Sequence, residues 1–239
     1  VAHAGRIGRD GLWLRERLQG EGVDVSGVLE TEAPTGHAII QVDPSGETAI
    51  VLHGGANQCV TPADADCVLA SFNAGDYLLV QNEISALPAI IRAGAQRGLR
   101  VVFNPAPLTP AVHSYPLDQV SIFILNETEA QGLTGVSQAQ QIGAAMAQKF
   151  PEATTVVTLG HKGSLLFDPA ATFHQPAEKV TAVDTTAAGD TFIGFFLSHL
   201  IASGDARQAL QWGCRAAAVC VTRPGAADSI PHLAELEKD

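Results

Sequence analysis

The chain has 239 residues, 46% of them hydrophobic, enough to bury the core of one large α/β domain or two small ones. Its 14 basic and 25 acidic residues give a net charge of −11, which argues against nucleic acid or an anionic membrane as main partner, since both need a positive surface. Cys59, Cys67, Cys214 and Cys220 form no CxxC pair and no cluster with the eight scattered histidines, so free thiols in a reducing cytoplasm are expected rather than a zinc or redox centre.

No stretch reaches the roughly 18 apolar residues of a membrane span, and no signal-peptide pattern opens the chain. Val1-Ala2-His3-Ala4 reads as the middle of a strand, so the chain is expected to begin inside a domain. Gly5 to Gly11 follows as a glycine-punctuated turn with GxxGxxG spacing, not the dinucleotide fingerprint, and Leu12 to Gln19 as a short helix. Two β-prone runs, Ala38 to Val42 and Thr48 to Leu52, flank Asp43-Pro44-Ser45-Gly46, which has hairpin-turn residues. They lack an accompanying helix, so a hairpin over 36–54 is expected to stand off the main body, as a lid or dimer contact or as an ordinary edge. Gly54 to Asn57 is expected to be a flexible connection.

The middle of the chain sets the fold class. Tyr77 to Val80, Leu99 to Phe103, Val120 to Leu125 and Thr154 to Leu159 are apolar strand runs. Helical patterns over Ser85 to Arg97 and Gln138 to Phe150 lie between them. Such alternation predicts a doubly wound, mainly parallel α/β sheet with helices on both faces, in one domain over 1–239 that includes the hairpin. Gln81-Asn82-Glu83, Asn104-Pro105, Asn126-Glu127 and Gly160-His161 end those strands, and ligands of open α/β sheets bind outside strand carboxyl ends. Ser164 to Phe167 and Ala171 to Gln175 read as a second hairpin, and Ala206 to Val221 as the last long helix, stopped by Arg223-Pro224-Gly225.

Between these last elements lies Asp184-Thr185-Thr186-Ala187-Ala188-Gly189-Asp190, a tight turn entered by an alternating run, Val180 to Val183, that reads as a strand, and left by an apolar helix, Thr191 to Ile201. A helix N-terminus has unpaired N–H groups and partial positive charge, and small residues let an anion approach them. Asp190 adds a carboxylate that could take a proton from a hydroxyl, or could simply be an N-cap. An anion cradle beside a base suggests phosphoryl transfer to an alcohol.

The stretch from Asp184 to Asp190, continuing Thr191-Phe192, resembles the C-terminal signature of the PfkB/ribokinase family of sugar kinases. Thr35-Gly36, Gly55-Ala56-Asn57, Asn104 to Pro107, Asn126 to Glu129, Thr158-Leu159-Gly160 and Val221-Thr222-Arg223 before Gly225 agree with it in order, so the resemblance covers essentially the whole chain. It implies a ribokinase-like fold with a small β lid, ATP as co-substrate, and transfer to the primary hydroxyl of a small sugar, with D-ribose at O5 expected. Deoxyribose, fructose-type sugars or nucleosides, or an inactive nucleotide- or sugar-binding regulator, are the alternatives.

By that resemblance Asp190 is the base, contacting the sugar hydroxyl, and the amides of Ala187, Ala188 and Gly189 form the anion hole. Asn126 and Glu129 match a motif that places Mg²⁺ through water together with the ATP phosphates; without the family they would be a capping pair. Thr158, Gly160 and Gly163 match the nucleotide loop, while Lys162 could touch phosphate but is expected, as an exposed loop lysine, to be solvated. Asp184 and Ser229, with carbonyls at Thr186, Cys220, Arg223 and Gly225, match a monovalent-cation site for activating K⁺. Glu83 matches a sugar-binding residue, and Asn104 is expected to be a turn residue before Pro105. A sugar-binding aspartate and a glycine-rich segment precede the matched region in the family and are not among these residues, so the sugar site is expected to be incomplete here. A homodimer paired through the hairpin is the expected assembly.

Overall fold

The computed structural model describes residues 1–42, 48–168 and 171–237, which contacts divide into two units, Val1–Val102 with Ala106–Val120 and Phe103–Pro105 with Ser121–Asp239. The fold is α/β, with a mainly parallel sheet, helices and a small antiparallel element. The turn proposed at Asp43 to Gly46 lies outside the described residues.

In the first unit, β1 (Ala2–Ile7) pairs in parallel with β2 (Asp24–Glu30), and α1 (Leu12–Gly20) connects them. Gly5, Arg6 and Ile7 therefore belong to a strand, correcting the sequence reading; the turn begins at Gly8 and runs through a 3₁₀ segment, Arg9–Gly11. β3 (His37–Val42) and β4 (Thr48–His53) form the expected antiparallel hairpin, a two-stranded sheet of its own. Gly55–Cys59 is a 3₁₀ helix with Ala56 fully buried, not a flexible connection. α2 (Pro62–Leu69), β5 (Tyr77–Gln81), α3 (Leu87–Gln96) and the first residues of β6 (Arg100–Asn104) complete the unit. α3 turns Leu87, Ile90 and Ile91 inward at helical spacing, and Val101 and Val102 are fully buried in the strand that follows.

One ion pair ties the first strand to α2. Arg6 grips Asp64 through two hydrogen bonds of 2.9 and 2.7 Å, and Asp64 also accepts from the Thr61 amide at the helix start, closing a capping box. The Arg6 hydrogen bond is the main cause that holds the Asp64 carboxyl down at about 2. A depressed carboxylate contributes stability that is fully present above its unfolded value and lost as pH falls through the folded one. Asp64→Asn is expected to cost about 1–2 kcal/mol at neutral pH. Urea melts of the two proteins should converge as pH falls from 4 towards 2; a gap independent of pH would assign the loss to the cap alone.

In the second unit, the end of β6 is followed laterally by β7 (Ile122–Asn126), β8 (Thr154–Thr158), β9 (Ser164–Phe167) and β10 (Thr172–Gln175). β7 and β8 are parallel, crossed over by α4 (Glu127–Thr134) and α5 (Ala139–Lys149), whereas β9 and β10 return antiparallel. Phe123, Ile124, Leu125, Val156 and Val157 are buried to 1% exposure or less, which is why these strands read as continuous apolar runs rather than alternating ones.

Two long helices finish the unit, α6 (Ala188–Ser203) and α7 (Ala206–Cys220), with α8 (Leu233–Leu236) near the end. α6 buries Phe192, Ile193, Phe196 and Leu197, with the rings of Phe192 and Phe196 stacked 5.9 Å apart. Gly213 lets α7 approach, since a Cβ there would stand 2.9 Å from the Phe192 ring. The alternating run Val180 to Val183 is not a strand: Val180 and Val183 are 44% and 64% exposed, in irregular backbone.

Candidate functional site

The loop between β10 and α6 is held in place before it becomes a helix. The Val183 and Asp184 amides both donate to the Val221 carbonyl, at 2.7 and 3.2 Å. Asp184 then accepts from the Thr186 amide at 2.9 Å and from the Gly225 amide at 3.0 Å, one bond to each carboxylate oxygen. Hydrogen bonding from Thr186, and then from Gly225, keeps its carboxyl below the usual range. Asp184 thus fastens its own turn to the loop after α7.

The same two segments meet a second time underneath. Ser229 is fully buried and its hydroxyl lies 2.6 Å from the Ala226 carbonyl, to which it must donate. The Cys220 sulfur lies 3.1 Å from the Ser229 oxygen and 3.8 Å from the Thr186 carbonyl, to which the thiol donates. The Arg223 amide donates to the Cys220 carbonyl, and the Arg223 guanidinium pairs with Glu235 at 2.6 Å. Asp184, Thr186, Cys220, Arg223, Gly225 and Ser229, proposed together from sequence, are therefore linked by direct bonds or close sequence.

α6 begins earlier than the sequence suggested. Its N-cap is Ala187, in the left-handed region at φ 60°, and Ala188, Gly189 and Asp190 form the first turn. Asp190 is not the N-cap; it occupies the third helical position, exposed together with Gly189, while the half-buried Ala188 donates its amide to the Thr185 carbonyl at 3.3 Å. A non-glycine residue in this region costs on the order of 1–2 kcal/mol, a strain typical of functional turns.

At the end of β7, Asn126 and Glu129 form a reciprocal capping box. The Asn126 side-chain oxygen accepts from the Glu129 amide at 2.8 Å, and Glu129 accepts from the Asn126 amide at 3.0 Å and from its side-chain amide at 3.0 Å. Asn104, at the end of β6, is not a turn residue: it is buried, donates to the Ile124 carbonyl at 2.8 Å and stands 3.5 Å from the same carboxylate. Burial pushes the Glu129 carboxyl up, against the hydrogen bonds from Asn126 that lower it. Sequence reasoning missed Asn104 because its partners are 20 and 25 residues away.

Beyond β8, Thr158 donates to the Leu125 carbonyl at 3.4 Å, and Gly160 opens a 3₁₀ turn that ends at Gly163. Gly163 has φ 95°, and a Cβ there would collide with the Gln175 carbonyl, so the backbone passes where no side chain fits. Lys162 is exposed, as expected, and faces the exposed Glu127 at 3.7 Å, a pair of little energetic weight.

In the first unit, Glu83 is exposed just past β5, and its carbonyl accepts from Gln58 at 3.3 Å. Thr35-Gly36 and Gly55-Ala56-Asn57 do meet: a Cβ on Gly36 would stand 2.8 Å from the Asn57 side-chain amide, and the Ala56 amide donates to the adjoining Pro34 carbonyl at 2.8 Å. Asp10 was not anticipated. It accepts from the Thr35 amide and hydroxyl, at 3.0 and 2.9 Å, while the Thr35 hydroxyl accepts from the Gly8 amide, so the base of the hairpin is tied to the turn after β1.

Residues 1–233 match the pfkB family carbohydrate kinase model. A ribokinase of Staphylococcus aureus is 36% identical over 244 aligned residues, covering 98% of this chain and 80% of its own length. The solved Arabidopsis thaliana ribokinase, complexed with ribose and ATP, superposes with a TM-score of 0.86 at 30% identity over 99% of this chain and 80% of that one. A Cryptococcus neoformans ribokinase in complex with ADP gives 0.84 at 32% identity, over 100% and 82%. Among the described residues, no helix is long and apolar enough to cross a membrane.

Proposed function

The chain belongs to the pfkB family of carbohydrate kinases and is an ATP-dependent sugar kinase, and from that premise we propose that its acceptor is D-ribose, phosphorylated at O5. The similarity to ribokinases supports ribose, and the observation that supports phosphoryl transfer is the strained turn at Ala187, where α6 starts with Asp190 in its first turn.

Asp190 is the base that receives the proton of the sugar hydroxyl. A carboxylate suffices because a loose phosphoryl-transfer transition state loses that proton late. The amides of Ala187, Ala188 and Gly189 donate hydrogen bonds to the negative charge on the transferring group, a preorganised set of dipoles that needs no rearrangement during the step. Thr158, Gly160 and Gly163 line the nucleotide, and Glu83 binds a sugar hydroxyl.

Glu129 and Asn126 are oxygen donors whose protein hydrogen bonds leave water-mediated contact as the natural mode for Mg²⁺, which keeps several waters. When bound, the ion neutralises charge on the phosphates. Asp184 and Ser229, with the carbonyls at Thr186, Cys220, Arg223 and Gly225, make an all-oxygen set suited to K⁺, and they hold the turn that carries the amides. The β3–β4 hairpin serves as lid and dimer contact. Its exposed Ile39 and Val51 are cross-strand partners and Leu52 faces Ala38, so apolar side chains on both faces are left for a sugar or a second copy to cover. The free cysteines fit a reducing cytoplasm.

The test is release of ADP with ribose, 2-deoxyribose, fructose and adenosine offered separately. Ribose is expected to give the highest kcat/KM, with the product phosphorylated at O5. A higher value for another acceptor overturns the substrate, and ADP release unaffected by any acceptor overturns the kinase roles assigned to these residues.

A further inference from the structure

His37 and His53 stand opposite each other on the rung that closes the base of the hairpin. Directly opposed residues of an antiparallel pair share a face with Cβ atoms about 4.5–5.5 Å apart. Their imidazole centroids are 4.9 Å apart and tilted by 40°, and both residues are exposed. The His37 ring is oriented by a contact of its own: Nδ1 lies 3.0 Å from the Thr35 carbonyl. A carbonyl only accepts, so in the neutral ring Nδ1 carries the proton and Nε2 keeps its lone pair. Thr35 is itself fixed by Asp10 through its amide and hydroxyl. An imidazole whose second nitrogen is committed to a backbone carbonyl is the arrangement of a metal-ligating histidine.

We propose that His37 and His53 form a two-imidazole site for a first-row transition-metal dication such as Zn²⁺, with water filling its remaining positions, that clamps the base of the hairpin. Imidazole nitrogen favours zinc, nickel and copper over magnesium, so the site is chemically distinct from any that serves phosphate. Zinc–nitrogen bonds of about 2.0–2.1 Å are short enough for one ion to bridge two side chains on one rung. The site does not depend on which sugar is phosphorylated.

Zn²⁺ titrated into the full chain against a chromophoric chelator tests this. His37→Ala and His53→Ala should each weaken the tightest zinc site at least tenfold, whereas His174→Ala, another exposed histidine, should not. His53→Phe retains an aromatic partner for His37 but no ligand, so it should behave like His53→Ala. Zinc should also slow amide exchange across 37–41 and 51–53 in the parent chain only. Undiminished affinity in His37→Ala or either His53 variant, an equal loss in His174→Ala, or exchange that zinc leaves unchanged overturns the proposal; zinc held by Cys67 alone would give the first result.

Discussion

Asp190→Asn is expected to lower turnover by about 10²–10⁴-fold, the range for loss of a positioned base, while nucleotide affinity is retained. The substitution is close to isosteric at the third position of α6, so the first turn keeps its geometry. It removes one negative charge from a helix N-terminus, a loss of about 0.3–1 kcal/mol, too small to unfold the chain. Single-turnover phosphate transfer and calorimetric ADP binding separate the outcomes. Turnover within tenfold of the parent would remove Asp190 from the proton path.

Gly189→Val should give a comparable loss for a different reason. No atom lies within 4 Å of a Cβ built at Gly189, and its backbone is outside the left-handed region, so the side chain enters open space. Valine is also a better helix residue than glycine, so the melting temperature should hold or rise slightly. If the amides cradle the transferring phosphoryl group, that open space is where it lies, and kcat/KM should fall by about 10²–10³-fold. Gly213 supplies the contrast: there an added Cβ meets the Phe192 ring at 2.9 Å, and the penalty should appear as lost stability. Parent-like turnover in Gly189→Val would mean that the turn is only a turn.

The parallel core was legible because Phe123 to Leu125 and Val156 to Val157 are buried on both faces, and burial of that kind writes unbroken apolar runs. The run Val180 to Val183 misled for the converse reason. Alternation marks a half-buried strand only where there is a strand to pair with, and these residues lie in irregular, exposed backbone. The capping box of α2 was legible in principle, as Thr61-Pro62 followed by Asp64, yet its ion pair with Arg6 spans 58 residues and leaves no local trace. The site divides along the same line. The order Asn126 to Glu129 and Asp184 to Asp190 is local and could be read directly. The thiol–hydroxyl chain through Cys220 and Ser229, the amide of Asn104 on Glu129, and Asp10 on Thr35 depend on tertiary folding.

Ala187 carries an implication for engineering. Glycine there would relieve the left-handed strain, but it would add freedom to the unfolded chain, an opposing effect of about 0.4–1 kcal/mol. A melting-temperature screen would therefore score Ala187→Gly as neutral or slightly stabilising. The same exchange would let the segment between Asp184 and α6 sample conformations in which the helix start is aimed elsewhere, a population loss that only a rate measurement detects. Thermal selection alone would thus leave a change in this turn unnoticed.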